Sequence, residues 1–321
     1  MELELLEDSR PIARFRSLSL NIRNHTALAK SVRADLEAYN TPVVIGRHID
    51  SSMFPYESGL ARAGFERDEP TDIELSVDPA ADTKDALEHL RRWGFCVLPE
   101  TLPTALIEGF KRDLDQAINT GVLKYNRGTS DRIHGAHQRL SSAREVWLYK
   151  PVLQFLETYF QDIPCACQTL TYVNGSEQGA HQDTIHLTPY PAGYMCGVWI
   201  ALQDVQEGSG ELFVYPGSHR ERRLRASELG LRKVENDDYS HYATFDQAVR
   251  DLVDAGGYER LIYRPKAGQI LVWHENLIHG GSQRAHPERE RLSVVSHYFP
   301  RGSVGYYDSR GEAATLETLP S

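Results

Sequence analysis

Apolar positions recur at helical spacing in the first half of the chain and gather into short, nearly continuous runs in the second. Thr26–Tyr39 repeats apolar residues every three or four positions, the mark of an amphipathic helix. The same period predicts helices over Thr83–Trp93 and Thr104–Asn119, the second opening on a threonine with Gly121 just past its end. Ala143–Gln161 reads as a further helix broken at Pro151, and Thr41–Gly46 as a short strand. From Cys165 onward the texture changes. Cys165–Val173, Cys196–Gln203, Glu211–Tyr215, Gln269–Trp273 and Leu292–Phe299 are β-rich, with turn signals such as Asn174-Gly and Pro216-Gly between them. A long stretch, 220–263, interrupts the strands and carries one helical piece, Phe245–Ala255. Insertions of that length are often lids or binding loops, so this one is expected to be mobile and to cover a site.

Composition narrows the possibilities. A chain of 321 residues with 40% hydrophobic and 25% charged residues is an ordinary globular protein able to bury a substantial core. Its net charge of −10 argues against nucleic acid as the main partner, because phosphate binding relies on clustered Lys and Arg. No run approaches the length of a membrane span. The opening Met-Glu-Leu-Glu-Leu-Leu-Glu-Asp is acidic and unlike a signal peptide, so a cytoplasmic location is expected. The four cysteines, Cys96, Cys165, Cys167 and Cys196, read as buried and reduced.

The candidate chemistry lies in His181-Gln182-Asp183 and in His279, 98 positions beyond His181. In extended backbone, residues i and i+2 share a side, so His181 and Asp183 can reach one ion while Gln182 points away. Two imidazoles and one carboxylate suit a ferrous ion, filling one face of its octahedron and leaving the other open. An H-x-D pair is also compatible with a plain polar turn. Among the other histidines, His219 closes a Pro-Gly-Ser-His turn and reads as structural. His274 lies on the opposite face from His279 if the chain there is extended. His297 shares a face with Arg291 and either borders the pocket or packs in the core.

Three segments carry a family resemblance: Gly179-Ala-His-Gln-Asp-Thr184; Gly197-Val-Trp199 running on to Pro216-Gly-Ser-His-Arg220; and Lys266-Ala-Gly through His279 to Arg291-Leu-Ser-Val-Val-Ser-His-Tyr-Phe299. Leu90–Pro99 adds a weaker match to an opening helix and strand. Together they resemble the phytanoyl-CoA dioxygenase (PhyH-like) family of Fe(II)/2-oxoglutarate oxygenases over roughly Asp85 to Arg301. The resemblance implies a mainly β fold with flanking helices, built on a double-stranded β-helix, the cupin-like jelly roll. Helices followed by strands fit that shape. It also implies an oxygenase domain over 83–321 with the insertion at 220–263; residues 1–82 carry no match and, with no Gly-, Ser- or Pro-rich linker to separate them, are expected as an extension packed on that core.

Position by position, His181, Asp183 and His279 match the family's iron ligands. Arg291 matches the arginine that holds the distal carboxylate of 2-oxoglutarate, with Arg289 the alternative. Gln182 and Trp199 fall where the family lines its co-substrate pocket. The expected cofactors are Fe(II), 2-oxoglutarate and O2, with succinate and CO2 released. Because a carboxylate stands at Asp183, hydroxylation is expected rather than halogenation. The substrate is expected to be a small molecule, and Arg132, His134, His137 and Arg139 suggest an anionic group on it, with His186 lining the entrance. The rivals are a cupin-like non-redox isomerase or lyase, which would not need Arg291, and a metal-stabilised binding module.

Overall fold

The computed structural model describes residues 27–39, 49–57, 72–126 and 132–314. The helices are α1 (Ala27–Ala38), α2 (Thr83–Trp93), α3 (Thr104–Asn119), α4 (Ser141–Trp147), α5 (Lys150–Phe160) and α6 (Ala243–Gly256). The strands are β1 (Phe95–Val97), β2 (Ile133–His134), β3 (Pro164–Tyr172), β4 (Leu187–Tyr190), β5 (Cys196–Ala201), β6 (Leu212–Val214), β7 (Leu261–Tyr263), β8 (Ile270–His274), β9 (His279–Gly281), β10 (Ser293–Pro300), β11 (Val304–Tyr307) and β12 (Glu312–Ala313). The strand expected over Thr41–Gly46 lies outside the described residues. Among those residues no helix is long and apolar enough to cross a membrane.

The six-stranded sheet runs β1-β8-β5-β10-β3-β2, every pairing antiparallel. Alternate residues point to opposite faces. Cys96, Val198, Ile200, Ile270, Val272, Val294 and Tyr298 pack outward against α2 to α5. Phe95, Val97, Leu170, Tyr172, Trp199, Leu271, Trp273 and Val295 point inward, against Leu212, Val214 and Tyr263 of a second sheet, β7-β6-β9. Both faces of the large sheet are therefore buried, and this is why its strands read as continuous apolar runs instead of alternating ones. The two sheets enclosing one interior form the double-stranded β-helix.

Local chemistry explains the helix ends. Asp82 caps α2 by accepting from the backbone N–H of Asp85, and Gly94 ends it in the left-handed region at φ 81°. α3 begins where expected but for a different reason. Its cap position is Pro103, with no side-chain cap, and Thr104 is already helical. The helix expected across Ala143–Gln161 is two helices, α4 and α5. The break falls at Leu148-Tyr149 and not at Pro151, which sits in the first turn of α5, where a missing N–H costs nothing. All four cysteines are buried thiols outside any disulfide.

A third sheet, β12-β11-β4, supports the N-terminal segment. Val32 and Leu36 of α1 share a cluster with Ile49, Phe54, Tyr190, Val304 and Tyr306, and the Phe54 ring stacks on Tyr306 at 4.7 Å and on Tyr190 at 5.4 Å. The stretch expected as an insertion ends in β7, so the part outside the sheets is 220–260. It is not a loose flap. Leu224, Ala226, Tyr242, Phe245 and Val249 bury themselves against Ile185 and Ile278. Asn276 donates to the carbonyls of His219 and Glu221, and Arg223 donates to the fully buried Glu275 at 2.9 Å. Lys233 bridges Asp50 at 2.8 Å and Asp308 at 3.0 Å.

Candidate metal centre

His181 and His279 face one another across an isolated antiparallel bridge, each backbone N–H donating to the other's carbonyl at 2.9 and 3.0 Å. Gln182 is extended, and Asp183 opens a single 3-10 turn, Asp183–Ile185. This local shape returns the carboxylate to the side of His181. The candidate ligand atoms of His181, Asp183 and His279 all lie within 4.8 Å of one another, and the three residues are buried.

Tautomers follow from the hydrogen bonds. His181 Nδ1 meets the Gly179 carbonyl at 2.9 Å, and His279 Nδ1 meets the Leu277 carbonyl at 2.9 Å. A carbonyl only accepts, so both Nδ1 atoms carry the proton and both Nε2 lone pairs are free to bind an ion. The Gln178 amide nitrogen lies 3.3 Å from His181 Nε2, as a donor to that lone pair would. Both Nε2 atoms sit 3.6 Å from the same oxygen, Asp183 Oδ1. The other oxygen, Oδ2, is engaged elsewhere: Trp273 Nε1 donates to it at 2.7 Å, and His297 Nε2 lies 3.2 Å away.

Burial alone would raise the Asp183 carboxyl, but the His279 and His297 imidazoles beside it, the second within hydrogen-bond distance, hold it well below the usual carboxylate range. Burial pushes the His279 imidazole down to about 4, against the pull of Asp183. A carboxylate beside the neutral His279 imidazole is the protonation state a divalent cation requires.

Glycines make room for this arrangement. Gly197 pairs with Trp273 in the β5–β8 register, and a methyl group there would overlap the indole. Gly280, next to His279, lies against the backbone carbonyls of Gln178 and Gly179, where a Cβ would approach to 2.8 and 2.9 Å.

Arg291 is 2% exposed, with its guanidinium 5.4 Å from the Trp199 ring and 5.8 Å from the Tyr172 ring. Among the described residues it makes no ion pair, and its Nε has no hydrogen-bond partner. Burial pushes it down to about 10, so it stays charged at neutral pH. Arg289 is different: it lies on the surface, bonded to the Glu207 carbonyl. Trp199 is buried beside Arg291. Gln182, however, commits its amide to the insertion, donating to the Arg222 carbonyl at 3.1 Å and accepting from Leu224 N–H at 2.9 Å.

The candidate substrate residues divide. Arg132 donates to the Tyr172 hydroxyl at 2.9 Å, so the Tyr172 ring has a guanidinium near it from both Arg132 and Arg291. His186 packs against the Tyr242 ring at 5.6 Å and the Tyr239 ring at 5.5 Å. Burial and the neighbouring His181 push His186 down to about 3, with smaller effects from the charges of Arg132 and Arg310. Those two arginines also act on His134, which is exposed. His137 is elsewhere: it is buried on the helix side of the sheet, bonded to Thr169 at 2.7 Å and packed at a tilt against the Trp147 ring at 3.8 Å. Arg139 is exposed. His219 bonds the Arg91 carbonyl and His274 accepts from Asn276 N–H, both away from the three candidate ligands. Sequence reasoning did not find Trp273 as a partner of Asp183, nor Arg310 as a charge acting on His186. Trp273 stands two residues after Leu271 on the inward face, so strand alternation alone places its indole in the interior.

The phytanoyl-CoA dioxygenase (PhyH) family model matches residues 90–289. A probable phytanoyl-CoA dioxygenase of Caenorhabditis elegans is 26% identical over 145 residues, 45% of this chain and 42% of that protein. Phytanoyl-CoA dioxygenase domain-containing protein 1 of Danio rerio is 43% identical over 47 residues, 15% of this chain and 16% of that one. The chain thus matches well under half the length of these relatives. Among solved structures, the carbocyclase SnoK from nogalamycin biosynthesis superposes with a TM-score of 0.56 at 15% identity, covering 75% of this chain and all of that one (100%). EctD from S. alaskensis, solved with 2-oxoglutarate and 5-hydroxyectoine, gives 0.53 at 14% identity over 73% of this chain and 82% of its own. These likenesses are of fold. With the family model covering most of the sheet core, the chain belongs to the phytanoyl-CoA dioxygenase family.

Proposed function

We propose that this protein is an Fe(II)/2-oxoglutarate-dependent oxygenase that hydroxylates a C–H bond of a small, polar or anionic molecule. The observation that carries this reading is the pairing of the His181, Asp183 and His279 donors with the buried, unpaired Arg291. A lone buried guanidinium costs several kcal/mol unless an anion joins it. The family model stops at residue 289, so the case for Arg291 rests on its burial and lack of a partner. Charge supports the same pairing. The two positive charges of a ferrous ion and the one of Arg291 are matched by Asp183 and the two carboxylates of 2-oxoglutarate, leaving a neutral interior. A non-redox isomerase or lyase would have no use for Arg291.

In this reading His181, Asp183 and His279 hold the iron, and Arg291 grips the far carboxylate of 2-oxoglutarate through a planar, charge-assisted contact. Iron with oxygen and 2-oxoglutarate supplies the oxidising chemistry, releasing succinate and CO2. The remaining residues bind, orient and exclude water. Trp199 and Tyr172 wall the guanidinium, and His186 with Tyr239 and Tyr242 forms an aromatic border toward the insertion. Arg132 and Arg310 give that side a positive character suited to an anionic group. The solved relatives include a carbocyclase and an epimerase, so product analysis must accompany turnover.

Calorimetric titration of 2-oxoglutarate with and without Fe(II) under anaerobic conditions is the first test, followed by a metabolite screen read by succinate and product mass. Metal-dependent binding, then succinate formed together with a product heavier by one oxygen, is expected. Binding of 2-oxoglutarate that is absent or indifferent to metal would sink the reading.

A further inference from the structure

Three imidazoles surround Asp183, and they are not equivalent. His181 and His279 turn Nε2 toward Oδ1, whereas His297 turns Nε2 toward Oδ2 at 3.2 Å. A carboxylate only accepts, so Nε2 of His297 carries a proton and its Nδ1 carries the lone pair. This is the opposite tautomer from the one the backbone carbonyls impose on His181 and His279. The lone pair at Nδ1 requires a donor. The Gln168 amide nitrogen lies 3.1 Å from it, and the Gln168 carbonyl oxygen accepts from the Tyr307 hydroxyl at 3.0 Å.

The fold brings these groups together by a specific route. In the β10–β3 ladder His297 pairs with Gln168, and the register shifts immediately afterward, so that Tyr298 pairs with Ala166 and Cys167 is the extra residue. Such a bulge re-aims side chains at its position. Tyr307 arrives from β11, in a different sheet. The chain of donors thus runs from β11 through β3 and β10 to Asp183. Every step has a donor facing an acceptor.

We propose that Gln168 and Tyr307 are positioning residues for the metal centre: they fix the tautomer of His297, which with Trp273 holds Asp183 Oδ2 so that only Oδ1 is offered to the ion. This rests on the assignment of His181, Asp183 and His279 as ligands. A carboxylate held in this way occupies one coordination position instead of two. The open face needed by 2-oxoglutarate and oxygen is preserved by the protein's hydrogen bonds.

The test uses the full chain and Co(II) as the probe, read by its visible absorption, with tautomers read by long-range 15N–1H NMR correlations of the metal-free protein. In the wild type His297 is expected as the Nε2–H tautomer, and His181 and His279 as Nδ1–H. Outer-sphere partners of metal ligands are worth about 10–100-fold in affinity. His297→Leu and Gln168→Leu are expected to weaken Co(II) by about tenfold and to change the band shape, while His297→Gln, which keeps a donor, recovers most of the affinity. Tyr307→Phe, a mild change far from the ion, is expected to weaken Co(II) by a smaller factor, about threefold, and to leave His297 a mixture of tautomers. A Tyr307→Phe protein with wild-type affinity, spectrum and tautomer overturns the relay. A wild-type chain that fails to bind Co(II) overturns the ligand assignment itself, along with this inference.

Discussion

Arg291 and Asp183 are both buried charges, and they are stabilised differently. Asp183 has an indole and three imidazoles within reach, whereas Arg291 has two aromatic faces, only the longer-range pull of Glu211, and no ion pair among the described residues. Removing the guanidinium should therefore have opposite effects on stability and on binding. Arg291→Met is expected to raise the Tm of the co-substrate-free protein, because it removes an uncompensated charge. It should also raise the 2-oxoglutarate requirement at least about tenfold, from a charge-assisted contact worth ~1.5–3 kcal/mol. Arg289→Ala should change neither. His137 sets an acid limit of its own. Burial, aided by Arg144, pushes its imidazole down to about 4. The unfolded chain accepts a proton near pH 6.5 that the folded chain refuses until about 4, so stability falls as pH drops through that window. The loss approaches about 3 kcal/mol at one pKa unit per 1.36 kcal/mol. His137→Gln should flatten this part of a urea-midpoint profile between pH 7 and 4, and an unchanged slope would refute the assignment.

Packing of elements governs which parts of the site can move. Leu224, Ala226, Tyr242 and Phe245 anchor the insertion, and the exposed run at 235–240 lies between those anchors. Hydrogen exchange should find 224–226 and 245–253 protected and 235–240 fast. Uniformly fast exchange across 224–253 would restore the picture of a freely moving lid. On β5, Gly197→Ala should push the Trp273 indole off Asp183 and lower metal affinity with little change in helix content, a difference measurable by Co(II) titration beside circular dichroism. The sequence revealed elements wherever burial left a regular trace. Helices α2 and α3 are buried along one side and show their period, and β5 and β10 are buried on both faces and show as runs. The short strands β2, β4 and β9 exist because of their partners and leave no trace of their own. The same division holds in the site. His181 and Asp183 are legible because their spacing is local. The contact of His297 with Asp183 depends on a cross-strand register and a bulge, and the direction of Gln182 depends on where the insertion passes.

At the scale of the molecule, three distant segments meet at Lys233. Its ammonium reaches Asp50 near the N-terminal helix, and both the carboxylate and the backbone carbonyl of Asp308 beyond β11. The Asp308 side chain is 1% exposed, and burial raises its carboxyl against the opposing pull of Lys233. Lys233→Met should therefore cost about 3–5 kcal/mol, the usual result of stranding a buried charge, and Asp308→Asn in the same chain should recover part of it in urea unfolding. Longer connections matter as well. The backbone pair joining His181 to His279 closes a loop of 98 positions. Closing so long a loop is entropically expensive, and contacts this far apart in sequence slow folding. An incoming ion meets a complete ligand set only after both halves of the barrel have closed. Metal is then a late passenger and not a nucleus: it should lengthen the lifetime of the folded protein without hastening refolding. A cell starved of the ion would accumulate folded, loadable protein and not unfolded chains.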